Sequence, residues 1–174
     1  MQNEKRSTGF DDSALLKAKS DALRLLSFKP RSILELRNRL KLKKYDSELI
    51  DRVVDGLKRQ GLLDDEKYAK LFANSRTHTR PSGKRQLEFD LKRKGLSGET
   101  ITKALKSLDD YDEKKAAKDL ISVRFQKMTG LPDEKKKARL FGFLKRRGFA
   151  TGAILTALSE LFGEPFPGGE CYED

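Results

Sequence analysis

LRNRLKLKKYDSELIDRVVDGL, residues 36–57, decides the fold of this chain, because its apolar pattern returns twice. It recurs as LEFDLKRKGLSGETITKALKSL at 87–108 and as LFGFLKRRGFATGAILTALSEL at 140–161. In the first copy Ile50, Val54 and Leu57 fall at i, i+4 and i+7, one face of a helix. Ile101, Leu105 and Leu108 repeat that spacing 51 residues later, and Ile154, Leu158 and Leu161 after a further 53. A preceding helix keeps the same offsets through Leu36 and Leu40, Leu87 and Leu91, then Leu140 and Leu144. Tyr45, Leu96 and Phe149 occupy the matching place between the two helices. Six apolar positions held in three copies define an internal repeat of about fifty residues.

Each copy is preceded by a further helical stretch. Ala22, Ala69 and Ala116 align at intervals of 47, inside DALRLLS, KYAKLFANSR and KKAAKDLISVRF. Asp65 and Asp112 are the expected N-caps of the second and third stretches, where a side-chain oxygen accepts from free helix N–H groups. Ser32 and Glu35 have capping-box spacing. The connecting loops FKPR, THTRPSG and TGLPDE each contain a proline, which suits a helix stop. Gly95 and Gly148 precede Leu96 and Phe149, where a left-handed residue ends the second helix. Lys44 stands there in the first copy; a left-handed non-glycine residue costs about 1 kcal/mol, so a looser or differently shaped turn is expected.

The expected architecture is all-α: three tandem three-helix repeats at 13–62, 63–110 and 111–162. A three-helix unit of this size has little core of its own. The repeats are therefore expected to stack into an elongated, curved, solenoid-like body. Residues 1–12 and the acidic tail 163–174 are expected to be disordered; the last twelve residues, GEPFPGGECYED, hold four acids and no base.

The 174 residues carry a formal net charge of +11 with one histidine, His78, and one cysteine, Cys171. That inventory excludes a disulfide scaffold, a structural zinc site and most histidine-dependent catalysis. No apolar run reaches the roughly 18 residues of a membrane span, and MQNEKRSTGFDDS has no signal-peptide core. A cytoplasmic, monomeric protein with no membrane role and with acidic or polyanionic partners is expected. No catalytic, metal or cofactor site is expected. Gly83-Lys84 lacks the upstream glycine of a phosphate loop, and the acid pairs Asp64-Asp65 and Asp109-Asp110 stand at helix junctions.

The basic residues are clustered. The second helix of each repeat ends in Lys41, Lys43 and Lys44; Lys92, Arg93 and Lys94; Lys145, Arg146 and Arg147. Arg76, Arg80, Lys84 and Arg85 reinforce the second cluster, and Lys135, Lys136, Lys137 and Arg139 the third. Cations in a last turn complement the helix dipole, but one or two suffice and three in a row repel. The clusters are therefore read as a polyanion-contacting row. The third helices, SELIDRVVDGLK, SGETITKALKSL and GAILTALSEL, carry few cations, which argues against base-specific DNA reading. Weak, sequence-independent phosphate contact is expected instead. Phe141, Phe143 and Phe149 are read as core.

Ala22-Leu-Arg-Leu-Leu-Ser, Glu35-Leu36 with Leu40, Gly61-Leu-Leu-Asp-Asp65 with Tyr68-Ala69, Lys94-Gly95-Leu96 and Arg146-Arg147-Gly148-Phe149 resemble the RecX family of bacterial regulatory proteins, from about residue 14 to 162. The resemblance implies three tandem three-helix repeats and no enzymatic activity. It implies a modulator, mainly an inhibitor, of the RecA recombinase in DNA recombination, repair and the SOS response. Such a protein lodges in the groove of the RecA–DNA filament and limits its extension, ATP hydrolysis and strand exchange. The competing readings are a nucleic-acid-binding or architectural protein that acts without RecA, and a scaffold for some other acidic protein. Lys44 and the acidic tail depart from the family pattern.

Overall fold

The computed structural model describes residues 12–108 and 111–163. Among these, the elements are α1 (Asp12–Phe28), α2 (Ile33–Leu42), α3 (Ser47–Arg59), α4 (Asp65–Thr79), α5 (Lys84–Arg93), α6 (Gly98–Lys106), α7 (Glu113–Phe125), α8 (Asp133–Arg146) and α9 (Thr151–Phe162). No strand occurs among the described residues. Of the segments expected to be disordered, 1–12 and 163–174, all but Asp12, which opens α1, and Gly163, which ends α9, lie outside the described residues, as does the acid pair at 109–110.

The repeated apolar positions form the core. Leu36, Leu40, Ile50, Val54 and Leu57 are fully buried, as are Leu87, Leu91, Leu140, Leu144 and Leu158. Tyr45, Leu105 and Leu161 are only half-buried. The first helices correct one alignment. Ala22 and Ala69 are buried, but Ala116 is half-exposed and its neighbour Ala117 is buried. The buried i, i+4 pair runs Ala18/Ala22, Ala69/Ala73 and Ala117/Ile121. Alanine is frequent in all three helices, so matching one alanine to another left the register open; depth settles it.

The contacts fall into two compact units. One holds residues up to Tyr68 together with the turn Lys94–Leu96, and the other holds Ala69–Arg93 and Ser97 onward. In the first unit, Ser32 caps α2 in a complete capping box: its side chain accepts from the Glu35 amide, and Glu35 accepts from the Ser32 amide. Its hydroxyl also donates to the carbonyl of Lys94 at 2.7 Å. Glu35 takes Lys94 Nζ at 2.7 Å and the Tyr68 hydroxyl at 3.1 Å. Asp65 is not the N-cap expected of it. Asp64 accepts from the amides of Glu66 and Lys67, while Asp65 accepts from the Ile33 amide at 2.9 Å and so satisfies α2. Asp112 does cap α7, through Lys114 and Lys115.

The second unit repeats this junction with different atoms. Gly83 donates its amide to the carbonyl of Arg147 at 2.9 Å, and Arg147 Nη1 donates to the carbonyl of Pro81 at 3.0 Å. Glu113 accepts from the amides of Lys84 at 3.4 Å and Ala150 at 3.0 Å, covering the starts of α5 and α9. Ala150 has no side chain able to cap α9.

These junctions explain the glycines. Gly95 has φ +81° and Gly148 φ +72°. A Cβ on Gly95 would sit 2.6 Å from the Leu34 side chain, and one on Gly148 would sit 2.4 Å from the Gln86 backbone nitrogen. Lys44 adopts the same left-handed conformation, φ 64°, so the first turn is shaped like the other two rather than differently. Lys44 is exposed, and tolerates its Cβ at the cost of backbone strain alone. Lys44→Gly is expected to hold or raise stability by no more than about 1 kcal/mol, since relief of strain is partly offset by unfolded-chain entropy. A urea midpoint that fell by that amount would contradict this.

Burial alone would raise the Glu35 carboxyl. Hydrogen bonds from Lys94, the Ser32 amide and Tyr68 outweigh it and hold the group below the usual carboxylate range. A carboxyl lowered by folding contributes its stability above the unfolded value, about 4.3, and loses it as pH falls through the folded value. Glu35→Gln is expected to flatten the acid limb of the stability curve below about pH 4.3, measured as urea midpoint against pH.

Candidate polyanion-binding surface

The cations singled out by sequence divide into solvent-facing groups and groups held by the fold. In the first unit Lys41 and Lys44 are exposed at the end of α2. Lys43 reaches Asp21 at 2.9 Å, and Asp21 also accepts from the Tyr45 hydroxyl at 2.8 Å. The Lys43 hydrogen bond, then that of Tyr45, hold the Asp21 carboxyl below its usual range. Lys94 is half-buried against Glu35, with its ammonium 5.7 Å from the Tyr68 ring centre.

In the second unit Arg80, Lys84, Arg85, Lys92, Arg93, Lys145 and Arg146 are exposed. Lys92 pairs with Glu88 one turn earlier at 2.6 Å, a solvent-facing contact worth little to stability. Lys84, Glu88 and Lys92 share the rim of a groove between α5 and α6. Arg93 lies 5.8 Å from the ring centre of Phe89, itself 54% exposed. Arg76 pairs with Asp90 at 2.9 Å, and Asp90 also accepts from Gln86 at 2.9 Å.

Arg147 is the member of its cluster that turns inward, onto Pro81 and Phe143. Burial, and then the charges of Arg80, Arg124 and Arg76, hold its guanidinium below the usual arginine range. The structure thus gathers arginines from α4, α7 and the end of α8. Arg124 was not singled out from sequence. A signal existed: Arg124 follows Arg76 by 48 residues, the offset that relates the buried pair Ala69/Ala73 to Ala117/Ile121. Arg124 and Arg147 lie 4.5 Å and 4.9 Å from the Phe143 ring centre, so that ring, expected in the core, carries cations on a half-exposed side chain.

Two of the remaining basic residues near the start of α8 are locally paired, while Lys135 and Arg139 are exposed. Lys136 meets Asp133 at 2.8 Å and Lys137 meets Glu134 at 3.0 Å. His78 donates through Nδ1 to the Asn74 carbonyl at 2.8 Å within its own helix. Among the described residues no group of His, Cys, Asp and Glu is placed to hold a metal ion, and no helix is long and apolar enough to cross a membrane. Burial pushes the Tyr111 phenol up to about 12, and its hydroxyl donates to the Ser82 carbonyl at 2.8 Å, a structural tie.

Residues 18–57, 64–105 and 109–158 match, in order, the first, second and third three-helix domains of RecX. The chain belongs to the RecX family. Curated relatives named Regulatory protein RecX include one from Chlorobium limicola, 35% identical over 163 residues, which span 94% of this chain and 99% of the relative. One from Mycolicibacterium smegmatis is 38% identical over 136 residues, covering 76% of this chain and 72% of the relative. The crystal structure of RecX from Lactobacillus salivarius superposes with a TM-score of 0.75 at 20% identity, over 87% of this chain and 98% of that one. A second crystal structure, of a regulatory protein RecX, gives 0.78 at 22% identity over 94% of this chain and 80% of that one. Those two likenesses establish the RecX fold. The family is one of regulatory proteins, and its first, second and third three-helix domains agree with an all-helical chain of three tandem three-helix repeats.

Proposed function

We propose that this RecX protein regulates a RecA recombinase by binding the groove of the RecA–DNA filament, where it limits filament extension, ATP hydrolysis and strand exchange. It acts as a cytoplasmic monomer and without chemistry of its own. Family membership supports a regulatory role. The observation that carries the contact is the repeated placement of exposed cations at the end of the second helix: Lys41 on α2, Lys92 and Arg93 on α5, Lys145 and Arg146 on α8. Cations that return at a near-constant interval of sequence suit a partner that is itself periodic. Phosphates and acidic protein surfaces both satisfy such groups, and long-range attraction speeds the encounter. Lys44 in the first unit, and Arg80, Lys84 and Arg85 in the second, add exposed cations of the same chemistry, while Arg76 contributes from its pair with Asp90. Lys43, Lys94 and Arg147 serve it indirectly, by fixing the helices that present the rest.

Titration of the cognate RecA in its DNA-dependent ATPase assay tests the reading. ATP hydrolysis is expected to fall steeply at sub-stoichiometric to stoichiometric amounts of this protein. An unchanged rate at a one-to-one ratio would end the proposal. Tight gel shifts on single- and double-stranded DNA without RecA, with a large salt slope, would favour a general nucleic-acid-binding protein instead.

A further inference from the structure

The outer face of α7 forms one side of a groove of about 520 Å³ that no part of the proposed filament contact uses. Lys115, Arg124 and Lys127 line it, with Leu120, Val123 and Phe143 as apolar wall. Val123 is 60% exposed, an apolar side chain presented to solvent beside three cations. Among the described residues these three cations form no ion pair, although Lys118, on the neighbouring face, pairs with Glu160 at 2.6 Å. The groove has two acids of its own. Asp112 is committed to the amides of Lys114 and Lys115, and Asp119 is exposed. Beside the groove, Arg147 stacks with Arg124 on Phe143, and Arg76 and Arg80 act on the same charge. An occupant must therefore bring carboxylates or other anions together with apolar or aromatic groups.

The chain itself supplies such a segment. Residues 164–174, EPFPGGECYED, hold four acids, no base and two aromatic residues. The segment begins directly after Gly163, which ends α9 in a left-handed cap. Phe162, the last residue of α9, packs edge-on against Phe125 of α7 at 5.4 Å between ring centres. The segment thus starts beside the helix that builds the groove. Eleven residues extend to roughly 36 Å at about 3.3 Å each, whereas the 13 residues of α7 span roughly 20 Å.

We propose that residues 164–174 dock intramolecularly in the α7 groove, their carboxylates meeting Lys115, Arg124 and Lys127 and their aromatic residues covering Val123 and Phe143, and so compete with outside polyanions for the arginine-rich part of the second unit. A tether this short gives an effective concentration in the millimolar range, enough for a weak contact to stay occupied. The attraction is between largely exposed charges and is screened by salt.

Cys171, the sole cysteine of the sequence, allows the test in the full chain. With a nitroxide on Cys171, amide signals of Lys115, Leu120, Val123, Arg124 and Lys127 are expected to lose more than half their intensity, well beyond the mean loss over the rest of the chain. The loss is expected to reverse in high salt and in an Arg124→Glu/Lys127→Glu variant whose remaining spectrum shows it folded. Even broadening, or broadening confined to another surface, would overturn the proposal. So would broadening that appears only when spin-labelled and isotope-labelled copies are mixed, since the occupant would then be a second molecule. The competition rests on the polyanion reading above; the docking does not. Neutralising Glu164, Glu170, Glu173 and Asp174 to their amides is expected to tighten binding of a short oligothymidine three- to tenfold. Unchanged affinity would overturn the competition. Docking seen by relaxation together with no effect on RecA would count against the filament reading and leave the docking standing.

Discussion

Gly148→Ala is expected to lower stability by about 3 kcal/mol, seen as a fall of roughly 10 °C in thermal midpoint. Two costs combine. The residue holds φ +72°, where a side chain costs about 1–2 kcal/mol. Its new Cβ would also lie 2.4 Å from the backbone nitrogen of Gln86, at the start of α5. Backbone cannot swing aside as a flexible side chain can, so the junction that carries the Gly83 amide to the Arg147 carbonyl must open. Gly61→Ala provides the control. Gly61 has φ +69° but nothing within reach of a Cβ, so only the backbone cost of about 1 kcal/mol applies. Equal losses in the two variants would show that close approach at Gly148 contributes nothing.

The second large effect concerns the third cluster, whose members have different duties. Lys145→Glu/Arg146→Glu is expected to leave stability within about 0.5 kcal/mol, because both side chains face solvent. Filament binding is expected to fall at least tenfold. Where the lost partners are phosphates, the salt slope should shrink by about 0.7–0.9 for each contact removed. Arg147→Glu reverses the pattern. It removes a charged hydrogen bond to Pro81 and places a carboxylate against Phe143, at a cost of about 2 kcal/mol to stability. A triple reversal would mix the two effects, so the double and single variants must be read separately. A folded double variant that inhibited RecA normally would remove the third cluster from the contact surface.

Both predictions depend on the junctions. The two junctions use one plan: a turn after the second helix approaches the start of another second helix, and a carboxylate closes the exposed amides there. Glu35 and Asp65 do this around Ser32 and Ile33; Glu113 does it around Lys84 and Ala150. The chemistry is conserved in kind while the atoms differ, since Ser32 offers a hydroxyl where Gly83 offers an amide.

Much of this was legible in the residues. The period of Leu36, Leu40, Ile50, Val54 and Leu57, returning near fifty residues, identifies the helices and their buried faces, because side-chain direction along a helix depends only on position within a turn. The Ser32–Glu35 box and the left-handed Gly95 and Gly148 were equally readable, being local hydrogen-bond and steric requirements. The alignment of Ala22, Ala69 and Ala116 was not, because alanine neighbours alanine in those helices and depth is not local.

For this protein, then, sequence alone determined which segments are helices, which of their faces are apolar and where the positive charge is concentrated. Long-range packing fixes the rest: Lys94 and Arg147 hold junctions while Lys145 and Arg146 face water, Asp65 satisfies a different helix, and Arg124 joins Arg76 and Arg147. The reason is physical. A helix sets the angle at which a side chain leaves, but whether it meets solvent or a carbonyl is settled by a partner some sixty residues away, as with Ser32 and Lys94 or Pro81 and Arg147.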